Sequence, residues 1–443
     1  MMMRKSLTLG LVAISLALSG CGVFKGGKKP RTPSIGERLD VLTYERKLEA
    51  DPEMANVTVT LPPPVSNSEW AQPGGRADRA MGHLNVGTNM ELRWHASIGA
   101  GSDKARRLVS GPVVADGRVY TIDVRAEVRA FDMNSGKMLW SRRITRAGEK
   151  DKIAFGGGVA FAQGRLYATS GYGLVVAFDA KNGQEIWRKD VKLPLRGAPS
   201  VADNRVFVVT QDNQLSALST ETGDILWDAV GTVEATALLG ASPPAVSADT
   251  AVVGFSSGEL TAIRVENGRV VWQDALARTG RTAAMAALTD IDAPVVIDGG
   301  RVFAVGHGGR IAALELSTGQ RLWERTLAGV SQPWVAGDFV FVVTLDGELV
   351  ALTRSEGKVR WVTQLPKFRK MKSRKGPIYW VGPVLAGDRL FLASSQGRVV
   401  AVSPYTGEVI QEFKHKDATY LSPVVANDMF FILSDDGTLS AYK

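Results

Sequence analysis

An eleven-residue motif recurs along this chain, opening on Ala, carrying Gly at its seventh position and usually closing on Trp. Its copies are AFDMNSGKMLW (130–140), AFDAKNGQEIW (177–187), ALSTETGDILW (217–227), AIRVENGRVVW (262–272), ALELSTGQRLW (313–323), ALTRSEGKVRW (351–361) and AVSPYTGEVIQ (401–411). A period of about 45 residues is the mark of one supersecondary unit stacked many times, in a propeller or a solenoid. Each copy follows a half-unit such as PVVADGRVYTIDVRAEVRAFD or PSVADNRVFVVTQDNQLSALS, in which apolar and β-branched runs are split by DG and DN turns. Four short strands per unit follow from that pattern. Gly permits the positive φ of a tight hairpin, Ala leaves room for close packing, and Trp offers a large surface to bury against the next unit. Cofactor stacking on these Trp residues would need a cofactor in every unit, so the structural role is preferred.

An eighth unit starts at SPVVANDMFFILSDDGTLSAYK (422–443) and lacks its outermost strand, while Met90-Glu91-Leu92-Arg93-Trp94 stands alone before the first complete unit. Pairing that strand with the C-terminal ones closes a ring. The fold expected is all-β, an eight-bladed propeller of four-stranded antiparallel blades over residues 88–443. Closure removes open sheet edges.

Residues 1–20 read as a signal peptide, with Arg4 and Lys5 ahead of an apolar stretch from Leu7 to Leu18. That stretch falls short of the roughly 20 apolar residues that cross a bilayer, and no later segment supplies them. Leu18-Ser19-Gly20-Cys21 looks like a lipobox, making Cys21 the expected acylation site. Cys21 is the only cysteine, so no disulfide can form within the chain. A catalytic or metal-binding thiol is the competing reading, which its place directly after an apolar leader disfavours. Residues 21–87, rich in Pro, Gly, Lys and Glu, are expected to form a mostly irregular tether, with a short helix possible over 35–50. As a flexible coil of about 65 residues it would reach about 45 Å.

The formal charge is +8, of which Arg4 and Lys5 leave with the leader. KFRKMKSRK (367–375) carries Lys367, Arg369, Lys370, Lys372, Arg374 and Lys375, so the rest of the mature chain is balanced. Basicity this local differs from a nucleic-acid-binding surface, and no nucleic-acid partner is expected. The run is either a solvated charge cluster or a contact loop for an acidic lipid or protein surface.

Catalytic signals are weak. His83, His95, His307 and His415 show no metal-ligand spacing and read as surface or turn residues. GFSSG (254–258) matches a nucleophile elbow around Ser256, but it leads into another strand rather than a helix. The Gly-rich stretches 156–158 and 306–309 lack phosphate-binding spacing and read as blade turns.

The motif, with its A-x-D-x-x-x-G-x-x-x-W ends, resembles the blades of pyrroloquinoline-quinone-dependent alcohol dehydrogenases, which are also eight-bladed. Those enzymes are longer and commonly carry an adjacent-cysteine disulfide and a calcium site of Glu, Asn and Asp; one cysteine makes the disulfide impossible here. Lipobox, tether and repeats together resemble, over nearly the whole chain, the BamB family of outer-membrane β-barrel assembly lipoproteins. Two loops carry the specific part of that resemblance: Leu193-Pro194-Leu195-Arg196-Gly197 and Asp290-Ile291-Asp292-Ala293-Pro294. In the family, loops of the form L-x-L-R-G and D-x-D-x-P contact the periplasmic POTRA domains of the barrel subunit BamA. The resemblance implies a non-catalytic scaffold held by lipid at the periplasmic face of the outer membrane. Its partners would be BamA, other barrel assembly subunits and unfolded outer-membrane protein clients, with no cofactor and no metal. The long tether and the basic run depart from the simplest family pattern. The alternative is a periplasmic quinone-type or sugar-acting enzyme on the same scaffold. In an antiparallel four-stranded propeller, the connections between blades emerge on one face with each blade's second hairpin. Leu193, Leu195, Arg196, Asp290, Asp292 and the basic run are therefore expected to share a face, with exposed Leu195 an apolar anchor beside Arg196.

Overall fold

Runs of Val, Ile, Phe and Tyr between Gly- and Asn-bearing turns suit a pleated surface buried on both faces. In the computed structural model, which describes residues 48–146, 156–232, 242–276 and 290–443, they form eight four-stranded antiparallel sheets. The first blade runs Val113–Ala115, Arg118–Ile122, Glu127–Asp132 and Met138–Arg143, from first strand to outer strand. The pattern repeats through the seventh blade, which ends with Val409–Lys414. The first strand of the first blade is buried throughout, and its outer strand buries only Trp140 fully. The eighth blade takes Val424–Ala426, Met429–Leu433 and Thr438–Tyr442 from the C-terminus and Leu92–Ser97 from near the N-terminus. Its closing ladder pairs Leu92 with Tyr442 and Ser97 with Thr438. Fold class and closure are those read from the repeat. The leader, Cys21 and residues 21–47 of the expected tether lie outside the described residues.

The motif's composition follows from a column of side chains across each blade. Tyr120 pairs with Ala130 and Ala130 with Trp140, placing a small residue between two rings on neighbouring strands. The rings close over that Ala to a centroid separation of 6.1 Å. Equivalent aromatic-Ala-Trp columns give 5.9 Å for Tyr167 with Trp187, Phe207 with Trp227 and Phe341 with Trp361. Each such pair adds about 0.5–1.5 kcal/mol beyond the burial of its area. A larger residue at the Ala position would part the rings.

Each Trp then reaches into the next blade. The indole Nε1 of Trp140 donates to the Ala180 carbonyl, that of Trp187 to Thr220 and that of Trp323 to Arg354. The motif Gly of the receiving blade lies under the ring. A Cβ on Gly319 would stand 2.7 Å from Trp272, and its φ of 75° already disfavours a side chain. Glycine is thus required twice over at that turn.

The seventh copy ends in Gln411 because its docking site is missing. Trp94, from the N-terminal strand, pairs with Ala441 and donates to Met133, completing the motif across the chain ends. In the eighth blade the turn that would receive an indole from the seventh is replaced by the meeting of Lys443 with Glu91. Gln411 instead accepts a hydrogen bond at 3.1 Å from Arg389, whose guanidinium also holds the Gly87 and Thr88 carbonyls.

Residues 48–87 are mostly irregular, with one 3₁₀ turn at Pro52–Met54, but they do not hang free as the tether reading expected. Eight first strands meeting around an axis leave eight inner edges with unpaired backbone groups, and this segment satisfies some from seven blades and takes the Trp334 indole from the sixth. Trp70 exchanges backbone bonds with Val114, Ala71 accepts from Phe161, Ala77 from Val246 and Asp78 from Ile297. The Gln72 side chain brackets Val201, the Gly82 carbonyl accepts from Trp334, Leu84 donates to Leu385 and Asn67 donates to Val425. Arg79, fully buried near the axis, donates to Ser200 Oγ and to the Pro243, Pro244 and Val295 carbonyls. Burial lowers its pKa to about 9, which leaves the guanidinium charged at neutral pH. The sequence signal was an isolated Trp amid Gly and Pro, which composition alone assigns to a linker.

Candidate docking face

Two of the inter-blade connections converge as expected. Leu193 to Gly197 lead from the second blade into the third, and Leu195 forms a bridge with Thr210 in the third blade's second hairpin. Arg196 N donates to the Val209 carbonyl and Gln211 N to that of Pro194, so the loop runs as a partial extra strand. Gly173 makes the approach possible, since a Cβ there would stand 2.5 Å from the Leu193 carbonyl oxygen. On the fourth-to-fifth connection, Ile291 N donates to the Phe255 carbonyl and the Asp290 carbonyl accepts from His307 N. Of the two Gly-rich stretches, 306–309 is the turn of a hairpin in the fifth blade, whereas 156–158 is irregular backbone leading into Val159–Ala162, where a Cβ on Gly156 would stand 2.9 Å from the Leu195 carbonyl oxygen.

Exposure corrects the sequence reading. Leu195 is 0 % exposed and packs among Tyr167, Val175, Trp187 and Val208, so it is core rather than an exposed anchor. Arg196 and Asp290 are also buried, at 7 % and 1 %. An apolar residue in a loop that folds back into the ring lowers its free energy by leaving water, and the Leu195 bridge draws it that way. Leu193 is half-buried, and Lys192 and Pro194 beside it are exposed. The outward surface of the loop is thus its first half.

Asn213, not singled out from sequence, ties the cluster together. Its Oδ1 accepts from Ser256 Oγ at 2.9 Å and from Arg196 Nη1 at 3.5 Å, while its Nδ2 donates to the Thr232 carbonyl at 2.6 Å. Asn213 sits at φ 63°, a conformation asparagine tolerates, and the DN turn was its only signal. Ser256 is buried in a strand-turn-strand hairpin and spends its hydroxyl on Asn213, as its sequence context implied. Of the histidines expected at surfaces or turns, His83 and His415 are buried. His83 donates through Nδ1 to the Pro62 carbonyl, and His415 lies between Tyr442 and Ser434.

Electrostatics couple the two loops. Burial lowers the Arg196 pKa, and Asp292 and then Asp290 oppose that shift. Burial first, then Asp290, pushes Asp292 up to about 6 against the pull of Arg196. Native Asp292 therefore holds its proton to higher pH than the unfolded chain does. The stability this contributes is complete below about pH 4 and is lost as pH rises through about 6. Acidification from pH 7 to 5 should stabilise the protein by about 1 kcal/mol more than Asp292→Asn, checked by paired denaturant titrations.

Asp292 also lines a cavity of about 330 Å³, together with Arg107, Tyr420, Trp70, Pro73 and Gly74. The basic run is a separate hairpin on the sixth-to-seventh connection, pairing Phe368–Lys370 with Lys375–Pro377. Among the described residues no group of three or more His, Cys, Asp or Glu has metal-binding geometry, and no helix is long and apolar enough to cross a membrane.

The family described as outer membrane protein assembly factor BamB matches residues 86–147, 124–363 and 368–443. The BamB of Yersinia pestis is 26 % identical over all of both chains, and that of Escherichia coli K12 is 27 % identical over 78 % of this chain and 87 % of its own. Among solved structures, BamB from Moraxella catarrhalis matches with a TM-score of 0.67 at 19 % identity, over 80 % of this chain and 100 % of that one. A europium-containing methanol dehydrogenase matches at 0.65 and 15 %, over 83 % and 90 %. Those two likenesses show the propeller fold. The family match covers nearly the whole propeller, and with it this chain belongs to the family of outer membrane protein assembly factor BamB.

Proposed function

We propose that the chain is a non-catalytic scaffold of the outer-membrane β-barrel assembly complex. It docks on the POTRA domains of BamA and assists folding and insertion of outer-membrane proteins. The observation that carries this reading is the seating of two loops on one face, with Arg196 and Ser256 both donating to Asn213 Oδ1 and Ile291 N donating to the adjacent Phe255 carbonyl. Leu195, Arg196 and Asp290 form a buried pedestal, and Leu193 with Pro194 presents the contact surface above it. Acylation at Cys21 would hold the scaffold at the periplasmic face of the outer membrane. The non-catalytic reading is supported by the axis, where the chain's own residues 67–84 engage the first strand of every blade. The buried, engaged hydroxyl of Ser256 supports it too.

Leu193→Ala with Pro194→Ser should weaken capture of purified POTRA domains by about thirtyfold, the loss of an interface hot spot. The melting midpoint should stay within the effect of about 0.5 kcal/mol typical of surface changes. A direct binding titration beside a melting curve reads both. Undiminished binding by this variant would place the docking surface elsewhere.

A further inference from the structure

The hairpin of residues 367–377 carries a charge arrangement that the fold itself does not compensate. Lys370 and Lys375 are direct partners across its two strands, a like-charge pairing that weakens a hairpin on its own. Arg374 holds φ 49°, a conformation costly for arginine, at the turn. Of the six cations, Lys367 meets Asp346 at 3.2 Å; among the described residues Arg369, Lys370, Lys372, Arg374 and Lys375 pair with no carboxylate, and all five are exposed. An arrangement of this kind is relieved by an external polyanion.

Apolar groups at the same place distinguish the kind of polyanion. Met371 is 60 % exposed between Lys370 and Lys372, at the start of the turn. Tyr379, just beyond the hairpin, and Tyr420 on the next connection are exposed with ring centroids 6.4 Å apart. Tyr379 is fixed there by backbone bonds with Ser395. A thioether at the tip, cations around it and tyrosines at the base form a graded sequence from apolar through charged to amphipathic. That order matches a bilayer entered from its surface: acyl chains deepest, phosphates next, and the interfacial zone where tyrosine settles. An acidic protein surface satisfies the cations but offers nothing to an exposed methionine at their centre.

We infer that this hairpin is a second membrane contact, which inserts Met371 into a bilayer bearing anionic phospholipid headgroups while its five free cations bind the phosphates. The inference is independent of the POTRA reading. Its test uses the chain from Gly22 to Lys443, which keeps the whole compact unit from Leu48 onward and omits the leader and the acylatable cysteine. Sedimentation with phosphatidylcholine vesicles containing phosphatidylglycerol should show binding, and pure phosphatidylcholine vesicles should show almost none. Each basic residue near an anionic surface contributes about fivefold, so changing the five free cations to Gln should lower partitioning by at least about a hundredfold. Raising the salt should have a similar effect.

The removal of Cys21 leaves no other cysteine, so Met371→Cys labelled with an environment-sensitive dye reports on that position alone. The dye should shift to the blue on anionic vesicles and be quenched by lipids brominated along the acyl chain. Equal binding to neutral and anionic vesicles, no binding to either, or binding that leaves the dye in water would each overturn the inference. So would a Gln variant that melts normally and still binds. Capture of an acidic protein by the hairpin without vesicle binding would assign it to a protein partner instead.

Discussion

Leu195→Ala is expected to lower the unfolding free energy by about 2–5 kcal/mol, the usual effect of removing a buried leucine side chain from a core that relaxes only partly. The site is completely buried between the second and third blades, with Tyr167 and Trp187 on one side and Val201, Val206 and Val208 on the other. Arg196→Met should be comparably damaging for an electrostatic reason. It leaves buried Asp290 and the raised Asp292 without their cation, and breaking a buried pair on one side costs about 3–5 kcal/mol. Because Asp292 sheds its charge as pH falls through about 6, the Arg196→Met deficit should shrink at pH 5 and be largest above pH 7. Chemical denaturation at the two pH values checks both statements. A Leu195→Ala protein as stable as the parent would mean that the loop lies open to solvent. An Arg196→Met deficit independent of pH would remove the link to Asp292.

These effects change how loss of partner binding is interpreted. A variant altered at Leu195 and Arg196 together should lose the loop's shape as well as any contact, so failure to capture a partner would say little about which atoms touch it. Leu193 and Pro194 separate the two causes because their replacement leaves the pedestal in place. Spacing on the propeller showed that the two loops share a face, since the connection rule depends only on strand count. Depth was not legible. Whether a leucine in a connecting loop points outward or inward depends on the Thr210 bridge and on the room left by Gly173, both of which are tertiary.

A similar division runs through the fold. The repeat announced blade number, strand order and closure because Ala, Gly and Trp each answer a local demand that recurs in every blade. Even Gln411, which breaks the motif, is legible once closure is assumed, for no turn follows to receive an indole. Residues 67–84 were not legible in this way. Their contacts with eight first strands follow no period, mix backbone with side-chain groups, and include a buried Arg79, a residue type ordinarily found on the surface. A segment that satisfies edges created by other parts of the chain carries few signals of its own.

Closure supplies the second large effect. Trp94 makes the same contacts as the other motif tryptophans: a bond from Nε1 to the Met133 carbonyl, a ring 6.1 Å from Phe431, and Gly136 beneath it. Trp94→Ala should accordingly cost about 3–5 kcal/mol, as should Trp187→Ala. The consequences should nevertheless differ. Trp187 lies on a strand joined to its neighbour by a hairpin, so its loss loosens one inter-blade contact while the ladder stays in register. The strand Leu92–Ser97 has no covalent link to Thr438–Tyr442, and its hold is the ladder, the Lys443 and Glu91 backbone pair, and the docked indole. When the indole is lost, that strand should detach at a free energy well below that of global unfolding, exposing the edge of Thr438–Tyr442. Hydrogen exchange should therefore accelerate at Leu92–Ser97 and Thr438–Tyr442 in Trp94→Ala, ahead of the rest of the propeller. In Trp187→Ala, protection of Leu174–Asp179 and Glu185–Asp190 should fall only with overall stability. The exposed edge should also make Trp94→Ala the more prone of the two to associate as concentration rises, read by light scattering. Matching exchange patterns in the two variants would mean that the closing blade is no weaker than one closed by a covalent hairpin.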